Sequence, residues 1–172
     1  MAIESTIQGD LHVVGDLSSS TLTIPALTLT DAGVSASAAI AASKQEHRFA
    51  ITYSQAAGSD VVAATVPVYT VRGTTATLVA VQVAVTTAPT GGTEAITVDV
   101  KKGSDGSAAA TMLSSVVTYD DDDADYSVSA GSIGTATLAA ADTITVVVAV
   151  SGSGGAQGQG LIVTITLNED AS

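Results

Sequence analysis

The sequence predicts an all-β protein: a short N-terminal β-strand arm with a small Ala-rich connector, then an antiparallel β-sandwich of jelly-roll-like type. Three observations predict it. From Phe49 onward, apolar residues recur at every second position in stretch after stretch, the period of a strand with one buried face. Clusters of Gly, Pro, Asp and Ser separate those stretches, as turns between short strands require. Before Phe49 the same alternation occurs with too few large apolar side chains to build a core of its own. The expected organisation is therefore an assembly arm over residues 1–48 and a sandwich over residues 49–172.

In the arm, residues 9–11 and 15–17 both read Gly-Asp-Leu. Leu11, Val13 and Leu17 alternate with polar residues, and Leu22, Ile24, Leu27 and Leu29 continue the pattern around Pro25. Together with Ile7 these are the candidate interface residues. Two short one-faced strands are not stable alone in water. Three copies wound about a common axis would bury the apolar face; docking of the strands on the C-terminal domain is the alternative. Residues 31–44 change character. Asp31 suits a helix N-cap, and Val34, Ala38 and Ala41, with Ile40 beside them, form a narrow stripe of small residues. A short helix near a symmetry axis and a plain linker both fit.

In the sandwich, strands are expected near 49–54, 61–71, 77–86, 95–101, 112–119, 124–130, 134–138, 143–150 and 160–168. Ile96, Val98 and Val100 share one face against Thr97, Asp99 and Lys101. Leu161, Val163, Ile165 and Leu167 oppose Ile162, Thr164 and Thr166, while Val79, Val81, Val83 and Val85 oppose Ala80, Gln82 and Ala84. Turn chemistry stands at Pro89-Thr90-Gly91-Gly92, at Gly103-Ser104-Asp105-Gly106 and through Gly152–Gly160.

Composition narrows the function. The chain of 172 residues is 46% hydrophobic, but Ala and Val make up much of that fraction, and the aromatics are Phe49, Tyr53, Tyr69, Tyr119 and Tyr126 alone. A thin core of this kind gains from burying further surface between subunits. The net charge is −12, with Lys44, Arg48, Arg72, Lys101 and Lys102 the only Lys and Arg residues. That balance argues against nucleic acid and against an anionic membrane, both of which need clustered basic residues. With no cysteine there is no disulfide, thiol chemistry or cysteine-based metal site. The stretch MAIESTIQGD has neither the basic nor the apolar region of a secretory signal, and no apolar run approaches the ~20 residues of a membrane span.

Candidate chemistry is sparse. Asp120, Asp121, Asp122, Asp123 and Asp125 are the densest acidic cluster. Oxygen ligands suit Ca²⁺, but the loop lacks the Gly and closing Glu of a calcium-binding hand, and a solvated turn is the expectation. The stretch GSGGAQGQG resembles a phosphate cradle only superficially: it leads into a strand and lacks the Lys-Ser or Lys-Thr ending, so a flexible hairpin is expected. His12 and His47 lack spaced partners, and no Gly-x-Ser-x-Gly elbow occurs. The absence of Trp weakens a glycoside-hydrolase reading. The chain is expected not to be an enzyme, with no catalytic, cofactor-binding or metal residues and no cofactor.

The arm sequence GDLHVVGDLSSSTLTIPALTLTDAGVSASAAIAASKQEHR resembles the N-terminal segments of structural proteins of tailed bacteriophages. The stretches VAVQVAVTTAPTGGTEAITVDVKKGSDG, ATLAAADTITVVVAV and GQGLIVTITL look like the β-sandwich of phage capsid decoration (cement), head-fibre and tail-fibre proteins. The resemblance implies a homotrimeric virion protein, assembled in the bacterial host cytoplasm and bound to the capsid exterior through the major capsid protein. The absence of a long shaft favours a compact decoration protein over a head- or tail-fibre receptor- or glycan-binding protein. It implies no catalytic residues.

Overall fold

The computed structural model describes residues 46–104 and 110–170. Residues 1–45 of the expected arm, with all eight candidate interface residues, lie outside them, and residues 46–48 open the first strand. The described part is all-β. Its strands are β1 (Glu46–Ser54), β2 (Ala64–Thr70), β3 (Thr75–Ala84), β4 (Ala95–Gly103), β5 (Ala110–Thr111), β6 (Val117–Tyr119), β7 (Val128–Ala130), β8 (Thr137–Ala139), β9 (Thr143–Ser151) and β10 (Ile162–Asp170).

Two antiparallel sheets face each other. The first has the order β1-β10-β3, with β7 and β8 both on the far edge of β3; the second has the order β2-β9-β4, with β5 and β6 both on the far edge of β4. The pairing is nested: β1 with β10, β2 with β9, β3 with β7 and β8, β4 with β5 and β6. A long hairpin folded between β4 and β5 and rolled up gives this order, with successive pairs falling into opposite sheets. That is the jelly roll.

The core lies between the sheets and is built by the alternation. Ile96, Val98 and Val100 of β4 are fully buried, as are Val163, Ile165 and Leu167 of β10 with Leu161 just before it. Strand β3 departs from its expected faces. Leu78 pairs with Leu167 and Ala80 with Thr166, which leaves Val79 as an extra residue, a β-bulge. The bulge resets the parity. Leu78, Val81 and Val83 point into the core, whereas Val79 is only half-buried.

Of the expected strand 112–119 only Val117–Tyr119 forms a strand, and the residues from Met112 onward cross between the sheets. Met112 donates its N–H to Val100 O in the second sheet, and its carbonyl accepts from Gly134 and Thr135 beside the first. Ser114 N–H reaches Ser132 O. This crossing segment zips one side of the sandwich shut, leaving the two short strands β5 and β6. Tyr119 pins the same side: its buried hydroxyl donates to Val83 O at 2.5 Å and accepts from Ser129 N–H at 2.9 Å.

Register assigns the loops to two ends. The connections β1–β2, β3–β4, β6–β7 and β9–β10 meet at one end, tied by Val61 N–H to Gly158 O, Thr86 N–H to Gln159 O and Thr90 N–H to Ala156 O. Glu46, Asp170 and the β2–β3 and β8–β9 turns lie at the opposite end. On the outer face of the first sheet, paired residues form rows. One runs Ser54–Ile162–Ala84–Val128 and the next Thr52–Thr164–Gln82–Ala130.

Candidate functional site

Two acidic side chains are buried among the described residues, Glu94 and Glu169. They mark the two ends of the sandwich. Charged groups are buried only where partners compensate their lost hydration, so their surroundings are the natural place to seek a site.

Glu169 continues the inward parity of β10 one step beyond Leu167. Its Oε1 accepts the backbone N–H groups of Arg72 at 2.6 Å and Gly73 at 2.5 Å, and its Oε2 accepts the Tyr69 hydroxyl. Burial pulls the Glu169 carboxyl upward, but the Tyr69, Gly73 and Arg72 hydrogen bonds outweigh it and hold the group below its ordinary value of 4.5. Burial first, then the bond to Glu169, pushes Tyr69 up to about 12. This cluster joins β10 of the first sheet to β2 of the second, and Phe49 of β1 adds an edge-on ring contact to Tyr69 at 5.2 Å between centroids. Beside it, Pro67, Val68, Tyr69, Thr70 and Arg72 line a shallow hollow of about 330 Å³. The Tyr69 hydroxyl is turned to Glu169, so the polar groups here hold a corner together.

At the opposite end Glu94 accepts the Gly155 N–H at 2.5 Å and the Thr93 N–H and hydroxyl, each at 3.3 Å. The Gly155 bond, against the effect of burial and with help from Thr93, holds its carboxyl below the usual range. The glycine-rich loop is thus fastened to the β3–β4 connection rather than free. A Cβ on Gly155 would lie 1.8 Å from Thr90 O and 2.6 Å from Glu94 Oε2; one on Gly152 would lie 2.6 Å from Thr93 O. Close backbone approach explains these two glycines.

The acidic cluster is engaged in its own turn. Asp120 Oδ1 accepts the Asp122 N–H at 3.1 Å, Asp123 Oδ2 accepts the Asp120 N–H at 3.0 Å, and Asp125 Oδ1 accepts the Ala88 N–H at 2.9 Å. The first two are short-range carboxylate-to-backbone bonds that shape a turn, and the third ties it to the β3–β4 connection. Among the described residues no group of three or more His, Asp or Glu side chains is gathered as metal ligands would be. His47 lies exposed on β1 opposite Glu169 in the register, and His12 lies outside the described residues.

Sequence reasoning singled out the visible acidic run and missed both buried carboxylates. For Glu169 a signal existed, since residue 169 falls on the same face as Leu161, Val163, Ile165 and Leu167. For Glu94 the signal was weaker: a single acid within the turn TGGTEA.

The fold and these ties define a jelly-roll β-sandwich whose buried acids serve as corner and loop fasteners. Comparison with protein-family models, with curated proteins and with solved structures finds no match. Among the described residues no helix is long and apolar enough to cross a membrane.

Proposed function

We propose that this chain is a virion structural protein of a tailed bacteriophage, a homotrimeric capsid decoration protein that binds the outer surface of the major capsid protein lattice and stabilises the head. One observation carries the reading: a jelly-roll sandwich in which the carboxylates of Glu94, Glu169, Asp120, Asp123 and Asp125 already hold the fold together. It joins an N-terminal stretch whose residues resemble the arms of phage structural proteins. A protein of this kind acts through buried interface, not through a pocket. Three copies acting together would raise apparent affinity for a symmetric shell without strong individual contacts. The acidic balance of −12 suits the outside of a shell, away from packaged DNA.

Polarity within the sandwich supports the same reading. Asp60, Glu94 and the 120–125 acids lie at the loop end, while Arg48, Arg72, Lys101 and Lys102 lie toward the end where β1 begins. Strand β1 begins at the less acidic end of the sandwich.

The test combines solution mass and shell binding. Light scattering of the full chain should give a trimer, and the trimer should co-sediment with heads that lack it and raise their melting temperature. Leu11→Asp combined with Ile24→Asp should abolish assembly while the sandwich keeps its far-ultraviolet circular dichroism. A monomer that binds no heads would sink the proposal. A second reading, a head- or tail-fibre protein that recognises a receptor or glycan, is favoured by the gathering of four loops at one end with Asp121, Asp122 and Tyr126 exposed. Binding to host cells or glycans without binding to heads would select it.

A further inference from the structure

We propose that the free edge of β1 takes a further strand, and that this strand is the 21–30 stretch of a neighbouring copy of this chain. The inference rests on the homotrimer reading above and adds where each N-terminal arm is received.

The edges of the two sheets differ. A sheet edge presents unpaired N–H and C=O groups, and proteins blunt it with short strands, proline or bulges. Strands β5, β6, β7 and β8 are only two or three residues long. Strand β2 carries Pro67 and a register shift between Pro67 and Tyr69. Strand β1 has none of these devices. Its nine residues pair with β10 alone among the described residues, in one unbroken register. Its inward row is also incomplete. Leu167, Ile165 and Val163 of β10 are buried, whereas Phe49, Ile51 and Tyr53, their direct partners on β1, are only half-buried. A strand added beyond β1 satisfies the edge hydrogen-bonding groups and covers that apolar row together, which is β-augmentation.

The chain itself supplies a strand of matching chemistry. Residues 18–30 carry no charge. Leu22 and Ile24 alternate there with Thr21 and Thr23, and Leu27 and Leu29 with Thr28 and Thr30. Strand β1 is likewise uncharged from Phe49 to Ser54, so neither side buries an unpaired charge on pairing. The apolar residues of the incoming stretch extend the half-buried row of β1. Pro25 then stands on the new outermost strand, where proline is tolerated and stops further pairing. The length of the intervening chain selects a neighbouring copy. A hairpin onto β1 of the same chain needs about 2–5 residues, and adjacent strands lie only about 4.8 Å apart. Residues 31–45 intervene instead, and they reach about 22 Å as a helix or about 50 Å extended. A nine-residue strand is itself about 30 Å long, so this connector suits a crossing to the next sandwich. Three copies that hand their arms around a three-fold axis close a ring.

The chain has no cysteine, so engineered disulfides report the contact in the full-length protein. Thr52 is exposed on β1. Thr52→Cys is combined, in separate variants, with Thr21→Cys, Thr23→Cys, Thr28→Cys or Thr30→Cys, and each is oxidised at low protein concentration. One of these registers should bring the two sulfurs within disulfide reach. On a denaturing gel without reductant that variant should run as a covalent trimer, about threefold the mass of the chain, because each copy both gives and receives an arm. Thr52→Cys alone should stay at monomer mass, as should Thr65→Cys, exposed on β2, in place of Thr52→Cys. Light scattering reads the native mass of each variant and circular dichroism its fold; Ser54→Cys, also exposed on β1, takes the place of Thr52→Cys should that variant misfold. Cross-links confined to single chains, in a protein that light scattering shows to be a trimer, would overturn the inference and assign the stretch to its own sandwich. No cross-link in any variant of a native trimer would also overturn it. Disulfide dimers from Thr52→Cys alone would do the same and assign the edge to β1 of a second copy. Each of these results leaves the homotrimer reading standing, whereas a monomeric wild type removes both.

Discussion

Replacing Glu169 tests whether a buried carboxylate fastens the two sheets. In Glu169→Ala three donors lose their acceptor: the Gly73 N–H, the Arg72 N–H and the Tyr69 hydroxyl. Gly73 is buried, so its N–H bears the full penalty of an unsatisfied group, about 1–3 kcal/mol. Arg72 is exposed and Tyr69 half-buried, so water reaches those donors and each loss is about 1 kcal/mol. The sum, about 3–5 kcal/mol, is a large part of a typical domain's stability, and lowers the melting temperature by about 6–20 °C at this chain length. Glu169→Gln should behave differently. Both backbone donors point to Oε1, which an amide oxygen replaces, and the Tyr69 hydroxyl can turn to accept from the amide nitrogen. Only charge assistance is lost, about 1–2 kcal/mol. The sign of the pH effect follows from the lowered carboxyl. The folded state prefers ionised Glu169, so its contribution is full above the ordinary value of 4.5 and is lost as pH falls through the folded value. The gap between wild type and Glu169→Gln should therefore close in acid. Thermal melts of the three proteins from pH 3 to pH 8 make the measurement. Equal damage by Ala and Gln, or an Ala variant within about 2 °C of wild type, would refute the reasoning.

Tyr69 governs the opposite limb: with its phenol pushed up to about 12, the folded state favours the neutral form. Its contribution is full below pH 10 and lost toward pH 12, and Tyr69→Phe should flatten that alkaline loss in a pH-resolved melt. Tyr119→Phe keeps the buried ring but strands the Val83 carbonyl and the Ser129 N–H, so chemical denaturation should show a loss of about 1–3 kcal/mol. Gly155→Ala drives a methyl group into Thr90 O and should cost about 2 kcal/mol or more, with the damage seen as faster proteolysis of the 152–160 loop. Because Asp120, Asp123 and Asp125 already accept backbone N–H groups, millimolar calcium should move the melting temperature by no more than about 1 °C relative to a chelator control; a larger rise would restore a calcium site.

Alternation from residue 49 onward, together with the turn residues between the stretches, pointed to antiparallel strands with one buried face, for which a sandwich is a natural burial. It marked the inward faces of β4 and β10 residue by residue, since Ile96, Val98 and Val100, like Leu161 to Leu167, lie in strands without a bulge at those positions. Tertiary structure decided the rest. The bulge at Val79 is set by the partner strand β10, so local pattern placed that residue on the wrong face. The stretch 112–119 reads as one strand but only Val117–Tyr119 forms one, because Met112 finds hydrogen-bond partners in both sheets and the chain crosses between them. The acidic run 120–125 was conspicuous as a cluster of charges, yet its bonding depends on backbone N–H groups within the turn and on Ala88 in a different loop. Glu169 and Glu94 were inconspicuous because their partners, Tyr69 and Gly155, lie far away in sequence. Periodicity reports which way a side chain points; only the closed fold reports what it meets there.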